Sequence, residues 1–238
     1  MTGLHYEFTG ETRIILDNFT LRRIRATRNI PELGVRAGDE GGWIEGTKNL
    51  SGNAWVSGEA RVFGEARVSG DAWVSGDAWV SGDAWVSGDA WVFGEARVSG
   101  DAWVFGEARV SGDARVSGEA RVFGEARVFG EARVSGEARV SGEARVSGNA
   151  QISSNADYLH LMVFTSRPLN TTLFKESDGN YRLAMGCWEG TIDQLEELFK
   201  RERWVETDAP ESGEAREEML ALCQVFRARV KRLKHAEP

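Results

Sequence analysis

The sequence predicts a mainly β protein wound as a solenoid. Three observations lead there. A six-residue unit repeats without a break in phase from Gly52 to Ser153. Each unit opens on a glycine, and within each unit a buried-type residue alternates with an outward-type one. The unit reads G-[D/E/N]-A-[W/R/Q]-[V/I]-[S/F] and recurs 17 times.

Period six excludes a helix. Helical phase would spread the valines around every face, and a glycine in every unit would weaken a helix by about 1 kcal/mol each. A strand accommodates the pattern: in A-x-V-x, alanine and valine share one side and the two x residues the other. Glycine with the acid beside it makes a corner, because glycine tolerates the backbone angles of a bend. Fixing six residues costs roughly 6–12 kcal/mol of backbone entropy. Burying one Val and one Ala returns only about 2–4 kcal/mol. The units must therefore stack and share ladder hydrogen bonds, and the two open ends need caps. Three regions follow: an N-terminal β cap over 1–45, the solenoid over 46–153, and a small α+β domain over 154–238. Gly46–Ser51 (GTKNLS) reads as a degenerate eighteenth unit. In the cap, LHYEF, TRIIL and FTLRRIRAT read as short strands, and Trp43 with Ile44 is expected to plug the open end.

The repeat resembles the hexapeptide repeat of left-handed parallel β-helices, which take three hexads per coil. The resemblance implies about six coils, a left-handed winding and, in many such proteins, trimers. Three hexads per coil places residues 18 apart in rows. One face then carries Trp55, Trp73 and Trp91, followed by Arg109, Arg127 and Arg145. A second carries Arg67, Trp85, Trp103, Arg121 and Arg139. A third carries Arg61, Trp79, Arg97, Arg115, Arg133 and Gln151. Phe63, Phe93, Phe105, Phe123 and Phe129 stand in the other outward position among serines.

An exposed tryptophan row is costly unless something covers it. Ring-on-ring stacking and burial against a partner both answer that cost, and the two are compatible. The candidate contact residues are therefore Trp55, Trp73, Trp79, Trp85, Trp91 and Trp103, with Asp71, Asp77, Asp83 and Asp89 of the four successive DAWV units. The solenoid hexads hold 15 acids and 10 arginines. Glu and Arg two places apart in the EARV units are expected to pair. The chain's net charge of −8 disfavours direct nucleic-acid and anionic-membrane binding. An acidic rod could instead occupy a nucleic-acid-binding site on another protein, by analogy with pentapeptide-repeat DNA mimics. Acids that merely keep a β-rich rod soluble are the plainer account. Calcium coils are disfavoured, since the G-G-x-G-x-D repeat is absent. No cofactor or metal is expected.

Hexapeptide acyltransferases resemble this repeat, but their chemistry needs a histidine base and the related carbonic anhydrases need three for a metal. The three histidines here, His5, His160 and His235, all lie outside the hexads. An enzyme is not expected. Cys187 and Cys223 lack a zinc-like spacing and read as reduced thiols in a cytoplasmic protein. The charged N-terminus does not read as a secretion signal, and no apolar run suits a membrane span.

In the C-terminal region, YLHLMVF, TTLFKE and YRLAMG read as strands separated by SRPLN and SDGN turns. Thr191 and Gln194 form a capping box before a helix with Ile192, Leu195, Leu198 and Phe199 on one face. After a break at ETDAPESGE, a second helix runs through Met219, Leu222, Cys223, Phe226, Val230 and Leu233 and ends in Arg227, Arg229, Lys231, Arg232 and Lys234. The cations complement the helix dipole and suit phosphate or an acidic neighbouring solenoid.

LRRIRA, GVRAGDEGGWIEG, N-L-S and the GNAxV repeats together resemble a group of phage and prophage proteins, as does Cys187-Trp188-Glu189-Gly190-Thr191. That resemblance implies a phage-type origin and the bacterial host cytoplasm, and carries no catalytic residue. The function expected is non-catalytic: an accessory protein that occludes or sequesters a host or phage macromolecule, in its most specific form an anti-defence inhibitor. A homo-oligomeric, self-assembling scaffold or virion component is the alternative.

Overall fold

The computed structural model describes residues 4–164, 168–200 and 213–236. Strands β1 (Tyr6–Ile15) and β2 (Phe19–Ala26) form an antiparallel hairpin, and β3 (Glu40–Ile44) pairs with β2. Then come the rungs β4–β20, two residues each, one per hexad from Trp55–Val56 to Gln151–Ile152. Each rung from β4 to β17 pairs in parallel with the rung 18 residues on, as Trp73 with Trp91 and Val74 with Val92. The result is three parallel sheets around about six coils, with three hexads per coil.

Alternation within each short strand puts the apolar pair inside. All repeat valines and nearly all repeat alanines are fully buried in one continuous core. The outward backbone forms the ladder; Trp73 N–H donates to Ala90 O at 2.9 Å and Arg109 N–H to Ala126 O at 2.9 Å. Every repeat glycine has a left-handed φ between +57° and +73°. Successive corners stack closely, so that a Cβ on Gly100 would stand 3.0 Å from Gly118 N and 3.2 Å from its O.

The rung pattern begins one hexad before residue 46. Trp43 and Ile44 pair in parallel with Arg61 and Val62, so β3 is itself a rung. Adjacent strand residues point oppositely. Ile44 enters the core, but Trp43 faces outward, buried beneath the hairpin with Leu21 and Phe63 and flanked by Arg13 and Arg23. The plug is instead made by Tyr6, Ile24, Ile30, Leu33 and Val35. Gly41 and Gly42 let β3 lie against the first coil, where a Cβ would meet the Val56 and Ala60 carbonyls at 2.8 Å. LHYEF and TRIIL form one ten-residue strand, not two, with an irregularity between Phe8 and Thr12. GTKNLS completes the first coil: Leu50 bridges Val68 and is buried.

A coil with no predecessor leaves its alanine carbonyls without donors, and each face solves this differently. Ala60 O accepts the Trp43 N–H at 2.9 Å. Ala66 O accepts Asn49 Nδ2 at 2.8 Å. Ala54 O accepts the His5 Nε2–H at 2.8 Å. At the other end the orphan groups are N–H donors. Arg139 N–H donates to Asn155 Oδ1 at 2.8 Å and Arg145 N–H to Thr172 Oγ1 at 3.0 Å. The hexad run stops where Asp157 turns the chain, its Oδ2 accepting from the backbone N–H and the hydroxyl of both Ser153 and Ser154.

Burial holds the His5 imidazole below its ordinary pKa, and it acts as a neutral Nε2–H donor. The unfolded chain therefore takes up a proton that the fold refuses. Stability linked to His5 is present above about pH 6.5 and is lost as pH falls below it. His160 shifts in the same direction, also through burial. The urea midpoint is expected to drop between about pH 7.5 and pH 5.5, and His5→Gln, which keeps a donor without titrating, should reduce that drop. His5→Ala should cost about 1–3 kcal/mol at pH 7.5 by orphaning a buried carbonyl, and less at pH 5.5, where the wild type has lost its His5-linked stability. Urea titrations of the three proteins check both statements.

The C-terminal meander comprises β21 (Tyr158–Phe164), β22 (Pro168–Lys175), β23 (Tyr181–Met185) and β24 (Trp188–Gly190), followed by α1 (Ile192–Lys200) and α2 (Gly213–Ala236). Alternation divides its residues between two cores. Phe174 and Ala184 join the solenoid core, while Leu173, Leu183 and Met185 pack with Leu195, Phe199, Met219, Cys223 and Phe226 of the helices. Thr191 and Gln194 cap α1 reciprocally, at 2.8 and 3.2 Å. Pro168 to Asn170 of the expected SRPLN turn belong to β22, and Gly213–Glu214 of the expected break belong to α2; the rest of both segments lies outside the described residues.

Candidate interaction surface

With its ends closed, the solenoid presents three lateral faces, each striped by an acid column, a Trp/Arg column and a Ser/Phe column. The register places the tryptophans on all three, so they form no single surface. On the first face Trp55 is buried under the cap beside His5. Trp73 meets Trp91 edge-on at 5.5 Å and donates from Nε1 to Ser57 Oγ at 2.8 Å. On the second, Trp85 meets Trp103 at 5.4 Å and donates to Ser69 Oγ at 2.9 Å. On the third, Trp79 lies between the guanidiniums of Arg61 and Arg97, at 5.1 and 5.6 Å, and against buried Phe63. The stacking expected of the rows is present, and it leaves Trp85, Trp91 and Trp103 about two-fifths exposed.

The expected Glu–Arg pairing within hexads does not form. Among the described residues, ion pairs involving the acids of the hexads reach cations outside those hexads, Arg13 of the cap to Glu59 and Lys48 of the first coil to Glu65. The acid of each hexad sits in the turn, where strand alternation does not aim it at the arginine. The arginines lie over rings one coil back instead, Arg109 over Trp91 at 5.3 Å and Arg121 over Trp103 at 5.0 Å. Such contacts contribute about 0.5–1 kcal/mol at exposed sites.

The four DAWV acids fall on three corners. Asp71 and Asp89 share one, and Asp77 and Asp83 occupy the others. Asp71 accepts Asn53 Nδ2 at 2.9 Å; Asp77, Asp83 and Asp89 are exposed. Among the described residues no group of three or more His, Cys, Asp and Glu converges on a metal position.

Cover differs between faces. The N-terminal hairpin lies over the start of the third face through Phe19 and Phe63. The C-terminal sheet covers the end of the first, where Arg145 donates to Gly186 O at 2.6 Å and Asn170 donates to Glu143. The second face is open along its middle coils. There Trp103 touches Phe105 at 6.5 Å, and Phe105 stacks on Phe123 with rings 2° from parallel and 5.0 Å apart. Trp85, Trp103, Phe105 and Phe123 thus form one aromatic strip. Phe105 and Phe123, absent from the expected contact residues, belong to this surface; their spacing of 18 places them in one row.

Four stretches, residues 60–76, 66–82, 108–124 and 138–154, match the family model of the YdcK beta solenoid repeat. The chain is a β-solenoid repeat protein. No curated protein matches it. In this solenoid protein His5 and His160 serve the caps. His160 lies in β21, its Nδ1 3.2 Å from Thr172 Oγ1 and its ring facing Gly142. The His235 side chain lies outside the described residues. Cys187 is exposed and Cys223 buried, the latter's pKa pushed up to about 11 by burial. Among the described residues no helix is long and apolar enough to cross a membrane.

Proposed function

We propose that this protein is a non-catalytic accessory binding protein whose solenoid presents tryptophans between acid columns to a macromolecular partner and acts by occlusion or sequestration. The observation that carries the reading is the partial exposure of Trp85, Trp91 and Trp103 on lateral faces while both ends are closed by hydrogen bonds. Trp is a frequent anchor of interfaces, and flanking carboxylates favour a cationic partner surface. The phage-like cap sequence supports a partner in a bacterial host, and the acidic rod supports a nucleic-acid-binding or defence protein as its target. The engagement of His5 and His160 in cap hydrogen bonds supports the absence of catalysis.

On the first face, Trp91 and Phe93 are its most open rings. Wild-type protein is expected to capture a single host protein stoichiometrically from bacterial lysate. Trp73→Ser with Trp91→Ser should weaken capture about tenfold or more, and added salt should weaken it further. Equal capture by the double variant would overturn the assignment of this face.

A further inference from the structure

The aromatic strip on the second face and the exposed side of α2 have complementary patterns. Acid columns border the strip on both sides: Asp83, Asp101 and Glu119 precede it, and Asp89, Glu107 and Glu125 follow it, all exposed. Toward the C-terminal coils, Arg121 and Arg139 continue the central column. On α2, Met219, Cys223 and Phe226 are buried, which turns Ala221, Val225 and Ala228 outward, with Val225 52 % exposed. This apolar ridge has Glu217 and Glu218 at its start and Lys231 and Arg232 at its end, all exposed; Lys234, nine residues from Val225, stands on the opposite side of the helix. Among the described residues Lys231 and Arg232 make no ion pair.

We infer that α2 of one copy docks on the aromatic strip of a second copy. The difference in charge along the strip sets one orientation: beside Trp85 and Trp103 the acid columns stand without a central cation, while at the other end Arg121 and Arg139 offset the acids that flank them. The cations of α2 meet the Asp83, Asp89 and Asp101 end, Val225 meets Trp103 and Phe105, and Glu217 and Glu218 meet Arg121 and Arg139. The helix from Glu218 to Arg232 rises about 21 Å and Trp85 to Arg139 spans three coil steps, about 14 Å, so the charged side chains at the two ends of the helix reach inward to the ends of the strip. Strip and helix are different surfaces of one chain, so the contact is heterologous and propagates as a ring or an open chain of copies. The inference rests on the reading of tryptophan faces as contact surfaces, and leaves the first face to the foreign partner.

The test uses full-length protein, with light scattering across concentration and salt and circular dichroism to confirm folding. Wild type is expected to gain mass with concentration and to lose it at high salt. Lys231→Glu with Arg232→Glu removes the helix side, and Trp85→Ser with Trp103→Ser removes the strip. Each variant alone should be monomeric, its association weakened about tenfold or more. Mixed in equal amounts, they should give a one-to-one dimer and nothing larger, because the first retains an intact strip and the second an intact helix. A wild type monomeric at all concentrations, association that survives either set of substitutions, or a mixture that stays monomeric overturns the proposal. Host-protein capture by the Trp85→Ser/Trp103→Ser variant separates the two failures. If capture depends on Trp91 while wild type is monomeric, only the assembly falls. If neither tryptophan pair affects capture, the broader reading falls with it.

Discussion

Deleting residues 124–141 should give a folded protein one coil shorter. The cut removes three whole hexads, so every rung on either side regains a partner of the same type, and Arg121 takes the place of Arg139, whose backbone N–H bonds the C-terminal cap. Taking stability as roughly 0.05–0.15 kcal/mol per residue, the loss should be about 1–3 kcal/mol, in keeping with a fold whose units contact only their neighbours. Deleting one hexad, residues 112–117, should also fold, because the hexads are interchangeable inside. It advances all later hexads by one face, which rotates one cap by a third of a turn relative to the other and sends Arg121 and Phe123 off the strip. Deleting three residues, 112–114, should not fold properly, since from that point the inward and outward positions no longer match and valines meet solvent. Circular dichroism and urea unfolding of the three deletions check this, and a folded three-residue deletion would be incompatible with the described core.

Gly100→Ala and Gly148→Ala should differ sharply, although both glycines have left-handed φ, +67° and +57°. A non-glycine residue in that region costs about 1–2 kcal/mol. At Gly148 the new methyl would meet only Glu176 Oε1, at 3.9 Å. At Gly100 it would press on Gly118 N, O and Cα at 3.0, 3.2 and 3.4 Å, all backbone. Separating the coils there adds about 1–3 kcal/mol of overpacking. Gly100→Ala should therefore lose about 2–5 kcal/mol against about 1–2 for Gly148→Ala. Equal urea midpoints for the two variants would show that corner stacking, as distinct from backbone angle, is not what selects glycine.

The repeat was legible because a period of six couples every decision: alanine and valine must point in, glycine must bend the chain, and one unit's register repeats in all the others. The rows of Trp73 with Trp91 and Trp85 with Trp103 followed from counting. Trp43 was misplaced for a reason also visible in the sequence. It stands 18 residues before Arg61 and Ile44 stands 18 before Val62, so the hexad phase already assigns one outward and one inward.

The sequence by itself determined the solenoid core, the corners and the composition of each lateral row, because these depend on strand alternation and backbone conformation inside a short repeating unit. Tertiary structure alone decided how the ends close and which rows stay open. His5 lies 49 residues from the carbonyl it satisfies, and Thr172 lies 27 from the N–H that it accepts. Neither residue type marks such a role locally. The same holds for the cover of Phe63 and Arg145, which identical hexads elsewhere do not share. Exposure is settled by which cap folds over which face, and that depends on packing between segments distant in the chain.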